Sequence, residues 1–312
     1  MSDRMAARQV RRPTQDQLEK AWGKVSAVLE PTPVVPTDLA PGALLKLETF
    51  QPTGAFKVRG ALAALAALPD GAEVVTASSG NHGLATAFAA AKTGIAATVV
   101  VPANASPAKV SRIKRYPVAV VEHGDGFDAA EAHAMSLPGH YISAYNDPMV
   151  IAGHSTLGRE LNAQTSGPLT VVVPVGGGGL ASGLALWAKQ RGDVRIVGVE
   201  SAHSLAVSTA VRTGTIADLP IGPTIADAIA GNIEAGCLTP HLLTNAEFTS
   251  VTDDELQAAM RWLFTEHGLV VEGAGACPIA AVLAGRVQPT GTLIAILTGR
   301  NITLPTYLEA LS

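Results

Sequence analysis

Cysteine is almost missing: the 312 residues include only Cys237 and Cys277. Two thiols in so long a chain cannot make a disulfide framework, so a reducing cytoplasm is the expected setting and small buried hydrophobes the expected role. Aromatics are scarce too, at 4% of a chain that is 47% hydrophobic and rich in Ala, Gly and Val. That balance suits closely packed α/β layers and argues against disorder. Apolar runs never approach the roughly 18 residues of a membrane span; 171–175 and 292–298 have strand length. A net charge of −4 gives no basis for nucleic acid or an anionic membrane as partner. The N-terminus, MSDRMAARQVRRP, carries arginines but no apolar h-region, so a disordered or loosely docked tail is expected there rather than a secretory signal. The histidines show no HExxH or other metal spacing, and neither a GxSxG elbow nor a P-loop occurs.

What is present is a regular alternation. Thr14 and Gln17 form a capping-box pattern for a helix to about Glu30, and Pro31, Pro33 and Pro36 then enforce an extended segment. A short strand is expected over 43–49 and a helix over 58–68. Strands over 73–77, 95–101 and 118–122 are each followed by a helix, with Ser106-Pro107 reading as N-cap and N1 of the second. A second series runs through a helix over 149–164, strands over 170–175 and 194–200, and a helix over 180–191. It closes with a capping box at Thr252 and Glu255, a helix over 275–285 and a strand over 292–298. Residues 201–246 follow no clear pattern. The length exceeds a single core, and the order βαβαβα predicts an α/β fold of two lobes, each a mostly parallel sheet covered by helices.

Three strand ends and one lysine carry the chemistry. Lys57 lies in LKLETFQPTGAFKVRGA, among small residues and beside Phe56. A lysine in a low-dielectric pocket loses its proton and becomes a nucleophile. Gly176-Gly177-Gly178-Gly179 sits between a buried strand and a helix, where bare backbone N–H groups and a helix N-terminus bind an oxyanion; a tight turn would need fewer glycines. The same loop also fits a dinucleotide fingerprint, with Glu200 as the ribose acid, so a nicotinamide-dependent oxidoreductase is a rival reading. Ser78-Ser79-Gly80-Asn81-His82-Gly83 places hydroxyls and an amide at another helix start; either it holds a carboxylate, or Ser79 or Asn81 merely caps the helix. Thr298 ends the last long strand and faces the ligand crevice of a parallel sheet, or completes its strand.

Together QPTGAFKVRGA (51–61), SSGNHG (78–83), PVGGGGLASG (174–183), VEGAGA (271–276) and LTGRN (297–301) resemble the fold-type II pyridoxal-phosphate enzymes, within them the serine/threonine dehydratases and serine racemases. The resemblance covers most of the chain after Leu45. It implies a two-lobed fold similar to the tryptophan synthase β chain, with a large cofactor-binding domain of residues 1–70 and 147–312 and a small mobile domain of 71–146. It implies pyridoxal 5'-phosphate held on Lys57 as a Schiff base, Phe56 beside its ring, Asn81 on its phenolic oxygen, Gly176 to Gly179 around its phosphate and Thr298 at its pyridine nitrogen. Ser78, Ser79, Asn81 and His82 would hold the substrate carboxylate, with His154 another substrate contact. Lys57 would move the Cα proton, and Ser79 matches the second acid/base of a racemase. The implied reaction is dehydration and deamination of L-threonine or L-serine to a 2-oxo acid and ammonia. A serine racemase, another β-elimination or β-replacement enzyme, and a catalytically silent pyridoxal-phosphate-binding protein are the alternatives. A homodimer is implied as well.

This chain departs from the family pattern at His154, in AGHST, at Gly273 after Glu272, and at Arg300 in LTGRN. Arg300 either binds an acidic substrate side chain or points to solvent. Glu200 and Ser204 align with a serine-racemase metal site whose aspartate is Ala206 here, so no tightly bound metal is expected. With Ser312 ending the sequence soon after LTGRN, no added regulatory domain is expected.

Overall fold

The computed structural model describes residues 8–312; residues 1–7 of the expected tail lie outside the described residues. Helix α1 (Gln15–Ser26) opens on the expected capping box, in which Thr14 and Gln17 exchange side-chain and backbone bonds. It ends at Ser26, short of Glu30. Strand β1 (Val34–Pro36) pairs antiparallel with β2 (Leu44–Leu47), a 3-10 turn covers Glu48–Phe50, and α2 (Lys57–Leu65) follows. The run of Ala, Leu and Gly in α2 buries every residue after Lys57.

Next come β3 (Glu73–Ala77), α3 (Asn81–Thr93), β4 (Ala96–Val101), α4 (Pro107–Ile113), β5 (Ala119–Glu122), α5 (Phe127–Ser136) and the two-residue β6 (His140–Tyr141). They form a four-stranded parallel sheet in the order β5-β4-β3-β6. Gly94 ends α3 in the left-handed region, as expected of a C′ glycine. Pro107 stands in the first turn of α4, but Ser106 makes no side-chain cap bond.

Helix α6 (Pro148–Gln164), capped by Asp147, leads into β7 (Leu169–Pro174), α7 (Gly179–Arg191), β8 (Val194–Ser201) and α8 (Ala206–Thr213). Then follow α9 (Thr239–Leu242), β9 (Glu247–Val251), α10 (Asp253–His267), α11 (Gly273–Leu283), β10 (Thr292–Leu297) and α12 (Leu304–Leu311). The six-stranded sheet runs β1-β2-β10-β7-β8-β9 and is parallel except at β1. Its strands alternate between two cores. Val172, Val197 and Ala295 pack under α10 and α11, whereas Val171, Val173 and Ile294 pack under α6 and α7. Cys237 and Cys277 are buried thiols in these cores, with ionisation pushed up by burial.

The C-terminal ends of β3, β7 and β10 deliver residues 78–80, 176–178 and 298 to one cleft between the two sheets. In parallel α/β folds, ligands gather at that end. Among the described residues, no helix is long and apolar enough to cross a membrane.

Candidate active site

A cavity of about 730 Å3 occupies the cleft. Its wall brings together Phe56, Lys57, Ser78, Ser79, Asn81, His82, Gly176 to Gly179 and Thr298, residues far apart in sequence. Lys57 is the first residue of α2, and its Nζ donates to Ala144 O at 2.8 Å. Burial in the cavity wall lowers its pKa from 10.5 to about 8, against the opposing pull of Glu272. The positive end of the α2 dipole acts in the same direction as burial, since it disfavours a cation there. Phe56 lies beside it, with the ammonium 5.1 Å from the ring centroid.

The neutral amine is the form that attacks an aldehyde. Capture of pyridoxal phosphate by the apoprotein should therefore accelerate as pH rises and level off above about 8. An unperturbed lysine would keep accelerating towards 10.5. Stopped-flow absorbance across this range checks it, and a rate still climbing at the upper limit contradicts the depressed amine.

The glycine loop offers a row of donors. Among the described residues, the N–H groups of Gly177, Gly178, Gly179, Leu180 and Ala181 reach no protein acceptor. The last three are the orphan donors of the α7 N-terminus, and Gly178 enters it at φ +81°. The lack of side chains is demanded by protein neighbours as well as by any ligand. A Cβ on Gly176 would sit 2.8 Å from Ile229 Cα, one on Gly177 2.3 Å from the Tyr145 ring, and one on Gly179 2.8 Å from Tyr145 Cα. Ser182, buried in the next turn with an unpaired hydroxyl, is off the cavity wall.

The second donor row is the start of α3. Its N-cap is Gly80 with no side-chain cap, so neither Ser79 nor Asn81 serves that purpose. Ser78 Oγ accepts from Gly80 N–H at 3.1 Å, which tightens the turn. His82 is buried, with Nε2 3.3 Å from Ile142 O. A carbonyl can only accept, so Nε2 carries the proton. Burial, then Lys57, pushes the ring down to about 3, so it is neutral and its buried, unpartnered Nδ1 has only a lone pair to offer. As placed, His82 can accept a proton-bearing group but has no N–H left for a carboxylate.

Other expected residues fall elsewhere. His154 is fully buried behind Phe56, ring centroids 4.9 Å apart, and off the cavity wall; its unpaired ring is held neutral by burial and by Lys57. Arg300 is exposed over the Phe50 ring, 5.8 Å away. Gly273 has a packing reason, for its Cβ would lie 2.3 Å from Ile225 O. Glu200 spends one carboxylate oxygen on the N–H groups of Val207 and Ser208, at 3.0 and 3.2 Å, where it caps α8. It therefore does not stand on the cavity wall as a ribose-binding acid would, and the oxidoreductase reading loses its second half.

Lys109, Arg112, Tyr145 and Glu272 are among the wall residues that escaped the sequence reading. Glu272 accepts from Asn81 Nδ2 at 2.7 Å and from Asn301 N–H at 3.1 Å. Burial, then Asp227, raises its carboxyl to about 7.

A buried amine with a lowered pKa, two rows of unspent N–H donors and the Thr298 side chain at a strand end fit an aldehyde cofactor that carries a phosphate. The comparison with known sequences agrees: residues 25–299 match the model of the pyridoxal-phosphate dependent enzymes, and the chain belongs to that family. Its architecture is that of fold type II. It is 36% identical over 272 residues to an L-threonine ammonia-lyase of Geobacter sulfurreducens, covering 84% of this chain and 67% of that one. A catabolic L-threonine dehydratase of Escherichia coli is 34% identical over 273 residues, 83% of each chain. Among solved structures, maize serine racemase superposes with a TM-score of 0.89 at 29% identity, over 96% of this chain and 97% of that one.

Proposed function

We propose that this chain is a pyridoxal-phosphate-dependent ammonia-lyase that removes water and ammonia from L-threonine or L-serine to leave a 2-oxo acid. The observation that carries the reading is the meeting, in one cavity, of the depressed Lys57 amine, the two donor rows and Thr298. The similarity to threonine ammonia-lyases and dehydratases supports the substrate class.

Bound pyridoxal phosphate would supply an electron sink for the substrate Cα. Gly176 to Gly179 and the first turn of α7 would hold its phosphate, Asn81 its phenolic oxygen, and Thr298 its ring nitrogen. A hydroxyl there, unlike a carboxylate, leaves the ring nitrogen uncharged, which favours loss of a β-hydroxyl over transamination. Phe56 backs the ring. Ser78, Ser79 and the open N–H groups of α3 orient the substrate carboxylate; His82, with no N–H to spare, packs beside them. Lys57, whose pKa of about 8 brings a share of neutral amine within reach of neutral pH, accepts the Cα proton. Residues 71–146 would form the small mobile domain on the remainder; the resemblance supports a homodimer, and the scarcity of cysteine a cytoplasmic setting.

Incubating the cofactor-loaded protein with L-threonine, L-serine and their D-enantiomers tests the reading. Ammonia with 2-oxobutanoate from L-threonine, or with pyruvate from L-serine, is expected. Interconversion of serine enantiomers without a 2-oxo acid would replace the lyase by a racemase. Ser79 on the cavity wall and the similarity to maize serine racemase make that the second reading.

A further inference from the structure

We infer that Arg112 is a positioning residue that fixes which end of the Asn81 amide faces the cavity. The argument rests on the role proposed above for Asn81 and on the direction of four hydrogen bonds. A carboxamide can be turned end for end, and only its partners decide which way it stands. A guanidinium has donors only, and Arg112 Nη2 lies 2.6 Å from Asn301 Oδ1. The oxygen of Asn301 therefore faces Arg112, and its Nδ2 points the other way. That Nδ2 donates to Asn81 Oδ1 at 2.5 Å and to Thr53 O, a pure acceptor, at 2.9 Å. Asn81 Oδ1 is thereby committed, and Asn81 Nδ2 donates to Glu272 Oε1 at 2.7 Å. One Nδ2 hydrogen of Asn81 remains for the cavity.

The far end of this relay cannot hold the direction alone. The Glu272 carboxyl is pushed up to about 7, so near neutrality a share of it carries a proton and can donate as well as accept. The Arg112 guanidinium, which has donors only, supplies the fixed end together with the Thr53 carbonyl, which can only accept. The relay also crosses the cleft. Arg112 and Asn81 ride on α4 and α3 over the four-stranded sheet, whereas Asn301 and Glu272 belong to the six-stranded side. The orientation of Asn81 is thus set by both halves of the molecule together.

The test is a double-mutant cycle on the holoenzyme, read by the visible absorbance maximum of the bound cofactor, by pyridoxal-phosphate affinity and by kcat/KM on the best substrate of the panel. Arg112→Met should shift the absorbance maximum and lower kcat/KM by about tenfold, the scale of one charge-assisted hydrogen bond. In an Asn301→Ala background the same substitution should add less than about twofold, because its route to Asn81 is already cut. An unchanged spectrum and kcat/KM in Arg112→Met, or an undiminished effect beside Asn301→Ala, overturns the inference; the latter would make Arg112 a direct substrate contact. Should Arg112→Met not fold, Asn301→Asp at intact Arg112 removes the N–H that faces Asn81 and must reproduce the spectral shift. Asn81→Ala separates the two layers. If it leaves the spectrum unmoved, the role of Asn81 fails; if it moves the spectrum and Arg112→Met does not, the relay alone fails.

Discussion

Lys57→Ala should lose both the visible absorbance of lysine-linked cofactor and at least about a thousandfold of turnover, the range a positioned acid/base contributes. The fold should survive. Among the described residues the Lys57 side chain makes one hydrogen bond, to Ala144 O, and that carbonyl stays open to the cavity after truncation. The thermal midpoint should therefore move little while the chemistry disappears. Near-normal turnover with a still-covalent cofactor would remove Lys57 from the centre of the mechanism. The pH dependence of cofactor capture adds an independent check, because it depends on the amine and not on any substrate.

Arg59, two residues on, should give the opposite result: a large loss of stability. Its guanidinium is wholly buried and donates to Glu48 through Nε and Nη2, both at 2.7 Å, and to Glu160 through Nη1 and Nη2, at 2.6 and 2.9 Å. A further bond reaches Thr156 Oγ1 at 3.2 Å. Lys46, also buried, completes the group with Glu160 at 2.6 Å and Thr32 O at 2.8 Å. Two cations and two anions thus cancel inside the protein. Arg59→Met would leave a surplus negative charge in a dry site, at a cost of about 3–5 kcal/mol. Calorimetry should show a fall in Tm on the order of 10 °C for a chain of this size. An unchanged Tm would mean that water reaches the cluster. Arg59→Lys should recover only part, since an ammonium cannot match the planar fork. Burial alone would raise the Glu48 carboxyl, but Arg59 outweighs it and holds it below the usual carboxylate value. A lowered carboxylate stabilises the fold above its unfolded pKa, and that contribution disappears as pH falls through the lower folded value.

This cluster marks a limit of what the sequence made legible. Runs such as EVVTA and TVVVP announce strands because β-branched residues at that density suit little else, and the turns after them were readable as sites because ligands gather at strand ends. Lys46, Glu48 and Arg59 look like ordinary surface charges until α6 brings Glu160 to them from 101 residues away. The Arg112–Asn301–Asn81–Glu272 relay was hidden for the same reason. Segment 214–238 has no periodicity, yet residues 227–234 form one wall of the cavity, and only tertiary packing shapes them. His154 misled because a polar ring departing from the family motif reads as a ligand contact, whereas helix packing sets the ring behind Phe56. Strand β9 and helix α12 went unread: the first has a single fully buried residue and the second sits at the chain end with two.

The two sheets differ in when they can exist during synthesis. The four-stranded sheet needs nothing beyond residues 73–141, so it can form while the ribosome is still at work. Strand β2 must wait for β10, and Thr53 for Asn301, 248 residues later. Until then the strand leading to Lys57 has one unpaired edge, open to pairing with another chain. The catalytic cavity is therefore a late product of biogenesis, and a nascent chain cannot bind cofactor in the full site before its last sheet strand leaves the tunnel.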